Sequence, residues 1–501
     1  MAVATRPAAV SAGQDSERPS RPASHGRVVL VLVLGVAFVT RLLATRALWL
    51  DETTTIAQAR LPFGDMIAQL QTWDVHPPLY HVVMWGWTRL FGSGELAVRM
   101  PSILAGVATV AVVYLLGRDL FSRRAGLLAA TATAVAPVLV WYGQEARMYS
   151  LVLLLALVAV WAQSRIVNGA AGRHWVVYTA ASVLLLWTHY FAVLYVAVQQ
   201  LAFALVWWRR RHEPDGRSFL HRWAAALAGL SVLVAPLWFV LWPQLQAFRA
   251  REAMGDGHLE PAAIEFQGPL DAYAVGANFV WSLWGFHPLD VMVLLVALWP
   301  LLMLAGLVML GRAGGPWNRY LGLLVLAPPV ALFVLGQYNR FVFEVRYFLI
   351  SVPLVLLLMS HQVDELRTRL GRVAAGTLLV LPMLLGLVHQ QLSENNPRAY
   401  DFDDVVGEIV EQAGPDDVLV FEPWYLDETI AYYGDGIEAV PLQELERMPD
   451  SDEAPTVFVV GSFLEQERHA SVHRSAIETL AAERTLVWQT ETPNVEARAF
   501  R

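Results

Sequence analysis

Cysteine and lysine are both absent from the 501 residues. Without cysteine there are no disulfides and no thiolate metal sites. Without lysine there is no Schiff-base chemistry, and any fixed cation that grips a phosphate must be arginine. Arginine suits that task, because its planar fork binds phosphate bidentately and stays charged. Charge of either sign is scarce, at 16% of residues against about 25% in soluble domains. No internal repeat is visible, so the inverted-repeat signature of many transporters is missing.

Apolar residues are abundant instead, at 56%, with a mean hydropathy of +0.44. Runs near the ~20 residues that cross a bilayer recur over the first four-fifths of the chain. The pattern predicts eleven spans, at 28–44, 100–117, 125–142, 149–166, 175–191, 192–208, 223–243, 289–310, 320–336, 347–361 and 373–391. One set of connecting loops holds Arg118, Arg123, Arg124, Arg165, Arg173, Arg209 to Arg211, Arg312, Arg319 and Arg367 to Arg372. The alternate set is poorer in arginine, so the positive-inside rule places the N-terminus in the cytoplasm and the C-terminus outside. Residues 1–26 read as a disordered cytoplasmic tail and the first span as an uncleaved anchor. Residues 27–391 form the membrane domain. Its first outer loop, 45–99, is expected to lie at the interface as short helices, because the apolar stretch at 80–91 is too short to cross. Residues 244–290 form another outer segment.

Residues 392–501 differ in kind. They hold 24 Asp/Glu against 7 Arg, a net charge of −17 that leaves +9 for the rest. Short apolar runs at 418–421 and 456–460 read as buried strands, with helical patterns at 403–412 and 469–484. The expectation is a small, acidic, extracytoplasmic α/β domain.

Polar residues gather on the predicted outer side. Asp51-Glu52 follows the first span, where a carboxylate can serve as general base or simply cap a helix. Asp74-Val75-His76-Pro77-Pro78-Leu79-Tyr80 shares that loop; its prolines force an extended entry into the next helix. Gln144-Glu145-Ala146-Arg147 sits at another outer boundary, where charges normally face a cavity, or else pair with each other. Thr188-His189-Tyr190, Arg340 and Glu344-Val345-Arg346-Tyr347 lie at further outer helix ends; interfacial Arg and Tyr also serve as depth anchors. Asp51, Glu52 and Glu145 are the catalytic candidates. Arg147, Arg346, Arg340 and Tyr347 are candidates for a donor phosphate. His76, Tyr80 and His189 are candidates for positioning, and Glu52, Asp74 and His76 are the candidate ligands of a divalent metal.

These motifs resemble the GT-C superfamily of membrane glycosyltransferases, in its protein O-mannosyltransferase and lipid A aminoarabinose transferase branch (glycosyltransferase family 39-like). The likeness rests on Leu48-Trp49-Leu50-Asp51-Glu52, His76-Pro77-Pro78-Leu79-Tyr80, Gly94-Glu95, Arg99-Met100-Pro101-Ser102, Leu116-Gly117-Arg118 and Tyr142-Gly143-Gln144-Glu145-Ala146-Arg147. It spans roughly 28–390 and is strongest in the first 150 residues. It implies a polyprenyl-phosphate sugar donor, Asp51 as acid/base site, Glu145 as the second acidic position, and inversion at the sugar carbon. It leaves a divalent metal open, and the lysine used by one branch has no counterpart here. Mannose and pentose donors fit equally, as do protein, lipid-glycan and cell-envelope glycan acceptors. Nucleic acid is not expected as a partner. The all-arginine, alanine-rich composition suggests a GC-rich bacterial genome and hence the inner membrane. The alternatives are a lipid-linked oligosaccharide ligase or polymerase, and a non-enzymatic transporter or scaffold.

Overall fold

The computed structural model describes residues 23–43, 46–72, 74–170, 172–253, 280, 283–285, 315–338, 345–393, 400–434, 436–447, 456–464, 466–492 and 494–501. The chain opens with α1 (Ala23–Leu42), followed by three short helices, α2 (Leu50–Arg60), α3 (Phe63–Thr72) and α4 (Leu79–Phe91). At 13 residues α4 is only about 20 Å long, too short to cross hydrocarbon. The bundle continues with α5 (Glu95–Leu120), α6 (Arg123–Val135), α7 (Pro137–Trp141), α8 (Tyr149–Val167), α9 (Arg173–Thr188), α10 (Ala192–Arg210), α11 (Gly216–Val234) and α12 (Trp238–Ala253). Beyond these lie α13 (Pro316–Gly336), α14 (Ser351–Asp364) and α15 (Arg369–Leu392).

The expected count of eleven spans is not confirmed. Among the described residues, six helices are long and apolar enough to cross a membrane: 95–120, 149–167, 192–210, 216–250, 316–336 and 369–392. The expected span at 125–142 is broken at Ala136, which adopts extended backbone. Its neighbour Pro137 pushes it there. The segments at 175–191 and 347–361 give helices of 16 and 14 residues. The span expected at 289–310 lies outside the described residues, as does most of the outer segment at 244–290, whose beginning continues α12 to Ala253.

Polar contacts between the helices collect in two groups near helix ends. At one end Asp119 accepts from Arg118, Trp161 and Arg165, and Ser122 donates to Asp364. The other end gathers the start of α2, the start of α8 and the segments before α4 and α14. Between them a buried cation braces the break in the helices. Arg41, 1% exposed, donates to the carbonyls of Ala37 (2.9 Å), Ala134 (3.2 Å) and Leu139 (3.2 Å). Two of those carbonyls flank the α6–α7 interruption, where helical partners are missing. Gly106 and Gly143 make room for it: a Cβ at either would lie 2.6 or 2.7 Å from Arg41 Nε.

The C-terminal residues form a five-stranded sheet. Strands β1 (Val418–Glu422), β2 (Glu438–Pro441), β3 (Val457–Ser462), β4 (Leu486–Glu491) and β5 (Val495–Phe500) lie in the order β2-β1-β3-β5-β4. β1 is parallel to β2 and β3; β5 is antiparallel to β3 and β4. Every residue of β1 and β3 is buried, as their continuous apolar runs require of strands covered on both faces. The covering helices are α16 (Phe402–Gln412), α17 (Asp427–Tyr433) and α18 (Glu467–Glu483).

Candidate active site

The site is built on the first turn of α2. Trp49 is the N-cap, and Glu52 Oε2 accepts from its backbone N–H at 2.9 Å. The capping residue is therefore Glu52, not Asp51, and two carboxylates in the first turn also suit the positive end of the helix dipole. Glu52 is closed to solvent. Arg99 donates from Nε to Oε1 at 2.9 Å and from Nη2 to Oε2 at 3.0 Å, and the Ala146 N–H donates to Oε1 at 2.8 Å. Arg99 also reaches the carbonyls of Arg46 and Ala47. One buried carboxylate thus fixes α2, α5 and the loop that carries Arg147.

Asp51, one residue away, keeps 32% of its side chain exposed. Its Oδ2 lies 3.7 Å from Arg147 Nε and 3.4 Å from Arg346 Nη1. Arg147 is buried and held by Thr55 Oγ1 (3.0 Å) and the Asp51 carbonyl (3.3 Å). Arg346, on a short 3₁₀ turn at Val345–Phe348, donates to the Tyr149 hydroxyl at 3.0 Å. Burial pushes the Asp51 carboxyl up, but Arg147, Arg346 and His76 outweigh it and hold it below the usual carboxylate value.

Asp74 and two histidines form the adjoining wall. Asp74 Oδ1 accepts from the His76 backbone N–H at 2.8 Å and lies 2.7 Å from His76 Nδ1; Gln58 donates to Oδ2 at 3.2 Å. His81 Nε2 stands 3.6 Å from Oδ2. Burial raises Asp74, yet His76 and His81 bring it well below its ordinary value. Burial pushes the His81 imidazole down to about 4, against the pull of Asp74. The His189 ring, at the end of α9, lies 6.0 Å from that of His76 and 5.6 Å from that of Tyr347.

The structure thus brings together Asp51, Asp74, His76, Arg147, His189, Arg346 and Tyr347. Three described candidates, Glu52, Glu145 and Tyr80, sit apart from that group, Glu52 being sealed against Arg99. Glu145 accepts from Trp141 Nε1 and lines a small cleft with Arg46, Trp49, Gln144 and Gln391. Tyr80 is buried, 3.3 Å from Ser102 Oγ, which in turn donates to the Arg147 carbonyl. Arg340 lies outside the described residues. Of the three candidate metal ligands, Asp74 and His76 pair with each other, while the Glu52 oxygens accept from Arg99, Trp49 and Ala146. No group of three such side chains is placed to hold a metal ion among the described residues. Arg99, present in a motif but not among the candidate site residues, is what the structure adds to the site. A charged pair at the Glu95/Arg99 spacing, opening an apolar helix, was the available signal.

Residues 75–242 match the family model described as dolichyl-phosphate-mannose-protein mannosyltransferase. No curated protein matches the sequence. Among solved structures, ArnT from Cupriavidus metallidurans bound to undecaprenyl phosphate aligns over 95% of this chain and 98% of its own, at 14% identity and a TM-score of 0.61. The apo form of that protein aligns over 94% and 97%, at 15% and 0.59. The archaeal oligosaccharyltransferase AglB from Archaeoglobus fulgidus, with an inhibitory peptide and a dolichol-phosphate, aligns over 90% and 71%, at 12% and 0.53. The resemblance carried by the motifs therefore stands, and the chain has the GT-C glycosyltransferase fold.

Proposed function

We propose that this protein transfers a single sugar, of mannose or pentose type, from a polyprenyl-phosphate donor to an extracytoplasmic acceptor, with inversion. The observation that carries this reading is one half-open carboxylate, Asp51, facing two arginines from separate segments. At 3.4 and 3.7 Å those contacts are longer than the 2.7–2.9 Å of a tight charge-assisted bond. A phosphate can therefore draw the guanidinium groups to itself and leave Asp51 to the acceptor. The lipid tail stays between the spans and the sugar lies at the Asp51 end.

In the reaction Asp51 takes the acceptor's hydroxyl proton while that oxygen attacks the anomeric carbon. The bond from that carbon to the phosphate oxygen breaks, and its electron pair leaves with the lipid phosphate. Arg147 and Arg346 stabilise the charge that develops there. No covalent sugar–enzyme intermediate is needed when the acceptor oxygen attacks from the face opposite the departing phosphate. Glu52, Arg99 and Tyr80 position these groups without touching substrate, and His76, His189 and Tyr347 line the sugar's surroundings. The arginine-rich end, with Arg118, Arg123, Arg124 and Arg165, faces the cytoplasm, which puts the site and the acidic domain outside.

The test uses purified protein and Asp51→Asn with labelled polyprenyl-phosphate mannose and, separately, a polyprenyl-phosphate pentose. Free polyprenyl phosphate and glycosylated acceptor are read by mass spectrometry. Turnover of one donor that vanishes in the variant supports the reading and names the sugar. An Asp51→Asn protein that turns over donor like the wild type refutes it.

A further inference from the structure

The α/β domain meets the membrane domain on the very helix that carries Asp51. α17 packs against α2, and the contact is polar at three points. The Tyr433 hydroxyl accepts from the Leu48 backbone N–H at 2.6 Å and donates to Glu95 Oε1 at 2.7 Å. Thr53 and Thr429, both fully buried, share a hydrogen bond of 2.8 Å between hydroxyls. The Tyr432 hydroxyl donates to the Ser93 carbonyl at 3.0 Å. Beside them the Trp49 ring sits 5.1 Å from Tyr400 and 6.1 Å from Phe463.

Two of these contacts do more than glue two bodies together: Tyr433 bonds Glu95, which neighbours the arginine of the positioning network, and Thr429 bonds Thr53 in the first turn of α2. Glu95 lies 4.0 Å from Arg99; Arg99 grips Glu52; Glu52 holds the Trp49 and Ala146 amides. The chain Tyr433–Glu95–Arg99–Glu52 thus runs from the α/β domain to the backbone two residues before Asp51 and just before Arg147. Thr429 reaches the same turn by a second path.

We infer that α17 is a positioning element of the active site, with Tyr433 and Thr429 setting the register of the α2 first turn and hence the distance between Asp51 and Arg147. The acidic domain is then part of the transferase, and whatever displaces α17 changes transfer at Asp51. This rests on the function proposed above for its catalytic arm, but its structural arm does not.

The structural arm measures backbone hydrogen exchange of the full chain in detergent, over peptides covering residues 46–60. Tyr433→Phe keeps the ring and removes one hydroxyl; Thr429→Val removes the other contact. Each is expected to speed exchange in that segment roughly tenfold, the size of one lost hydrogen bond to a charged or buried partner, without changing exchange in α8. Arg474→Ala, on an exposed face of α18, is the control. Unchanged exchange at 46–60 in both variants, or equal acceleration in the control, overturns the inference.

The catalytic arm measures donor turnover against pH. In Tyr433→Phe the acidic limb is expected to move to higher pH, since Asp51 loses part of the Arg147 charge that favours its ionised form. A merely less stable protein loses amplitude with the limb unmoved, and that result overturns the coupling to Asp51. Absence of turnover in the wild type refutes the proposed function instead, and the exchange measurement still decides whether α17 braces α2.

Discussion

Replacing Glu52 by Gln is the sharpest probe of what holds the site together. The carboxylate is 2% exposed and its partner Arg99 4%. It accepts four hydrogen bonds, two from Arg99 and one each from the Trp49 and Ala146 amides. A carboxamide has one acceptor oxygen, so its NH2 must face a donor and the Arg99 charge loses its counter-ion. Breaking a buried pair from one side costs about 3–5 kcal/mol, because the surviving charge stays desolvated. Arg99→Met should cost a similar amount for the mirror reason. Removing both charges together relieves that penalty, so Glu52→Gln/Arg99→Met should unfold at a higher temperature than either single variant. The assay is thermal unfolding in detergent, followed by tryptophan fluorescence. A double variant less stable than both singles, with losses that simply add, would refute the reasoning, since independent sites add and coupled ones do not.

Asp51→Asn should lower transfer by ~10²–10⁴-fold, the usual worth of a positioned base, with donor binding retained in an equilibrium assay. Arg346→Met removes one cation facing Asp51, so the acidic limb of the pH–rate profile should rise towards the ordinary carboxylate value while maximal turnover also falls. His81 is held at about 4 by burial, below its value of ~6.5 in an unfolded chain. Its folded value is depressed, so it contributes stability fully above pH 6.5 that is lost as pH falls towards 4, at up to about 1.4 kcal/mol per pH unit. Unfolding midpoints measured from pH 7 to 4 should therefore drop, and His81→Asn should flatten that drop. Gly143→Val should fail to accumulate as folded protein, because its Cβ would sit 2.7 Å from Arg41 Nε; size-exclusion profiles check this.

Much of this was legible in the sequence because hydropathy and clustered charge are local signals. The helices at 100–117, 149–166, 192–208 and 373–391, and the strands at 418–421 and 456–460, lie where the apolar runs placed them. Asp51, Arg147 and Arg346 could be grouped because each stands at a helix end on one side. What could not be read was pairing. Nothing in Asp51-Glu52 says that the second acid is sealed against Arg99 while the first stays open, because the difference depends on which face α5 presents, 47 residues later. Residues 125–142 look like one apolar span; Pro137 breaks them, and the sequence does not say that Arg41, 93 residues earlier, would satisfy the Ala134 carbonyl beside the break.

That arginine has a consequence for biogenesis. Its partners Ala134 and Leu139 are synthesised some ninety residues after it, so the first helix leaves the ribosome with a guanidinium that has only the Ala37 carbonyl to bond. At synthesis rates of ~5–20 residues per second the gap lasts roughly 5–20 s. Arg41 stands in the last turn of α1, so over that interval its side chain can snorkel to the interface at well below the ~2.5–3.5 kcal/mol of a charge at a helix centre. The guanidinium turns inward only once the Ala134 and Leu139 carbonyls exist, so chains halted before residue 134 should leave Arg41 open to an arginine-modifying reagent and those halted after 150 should protect it.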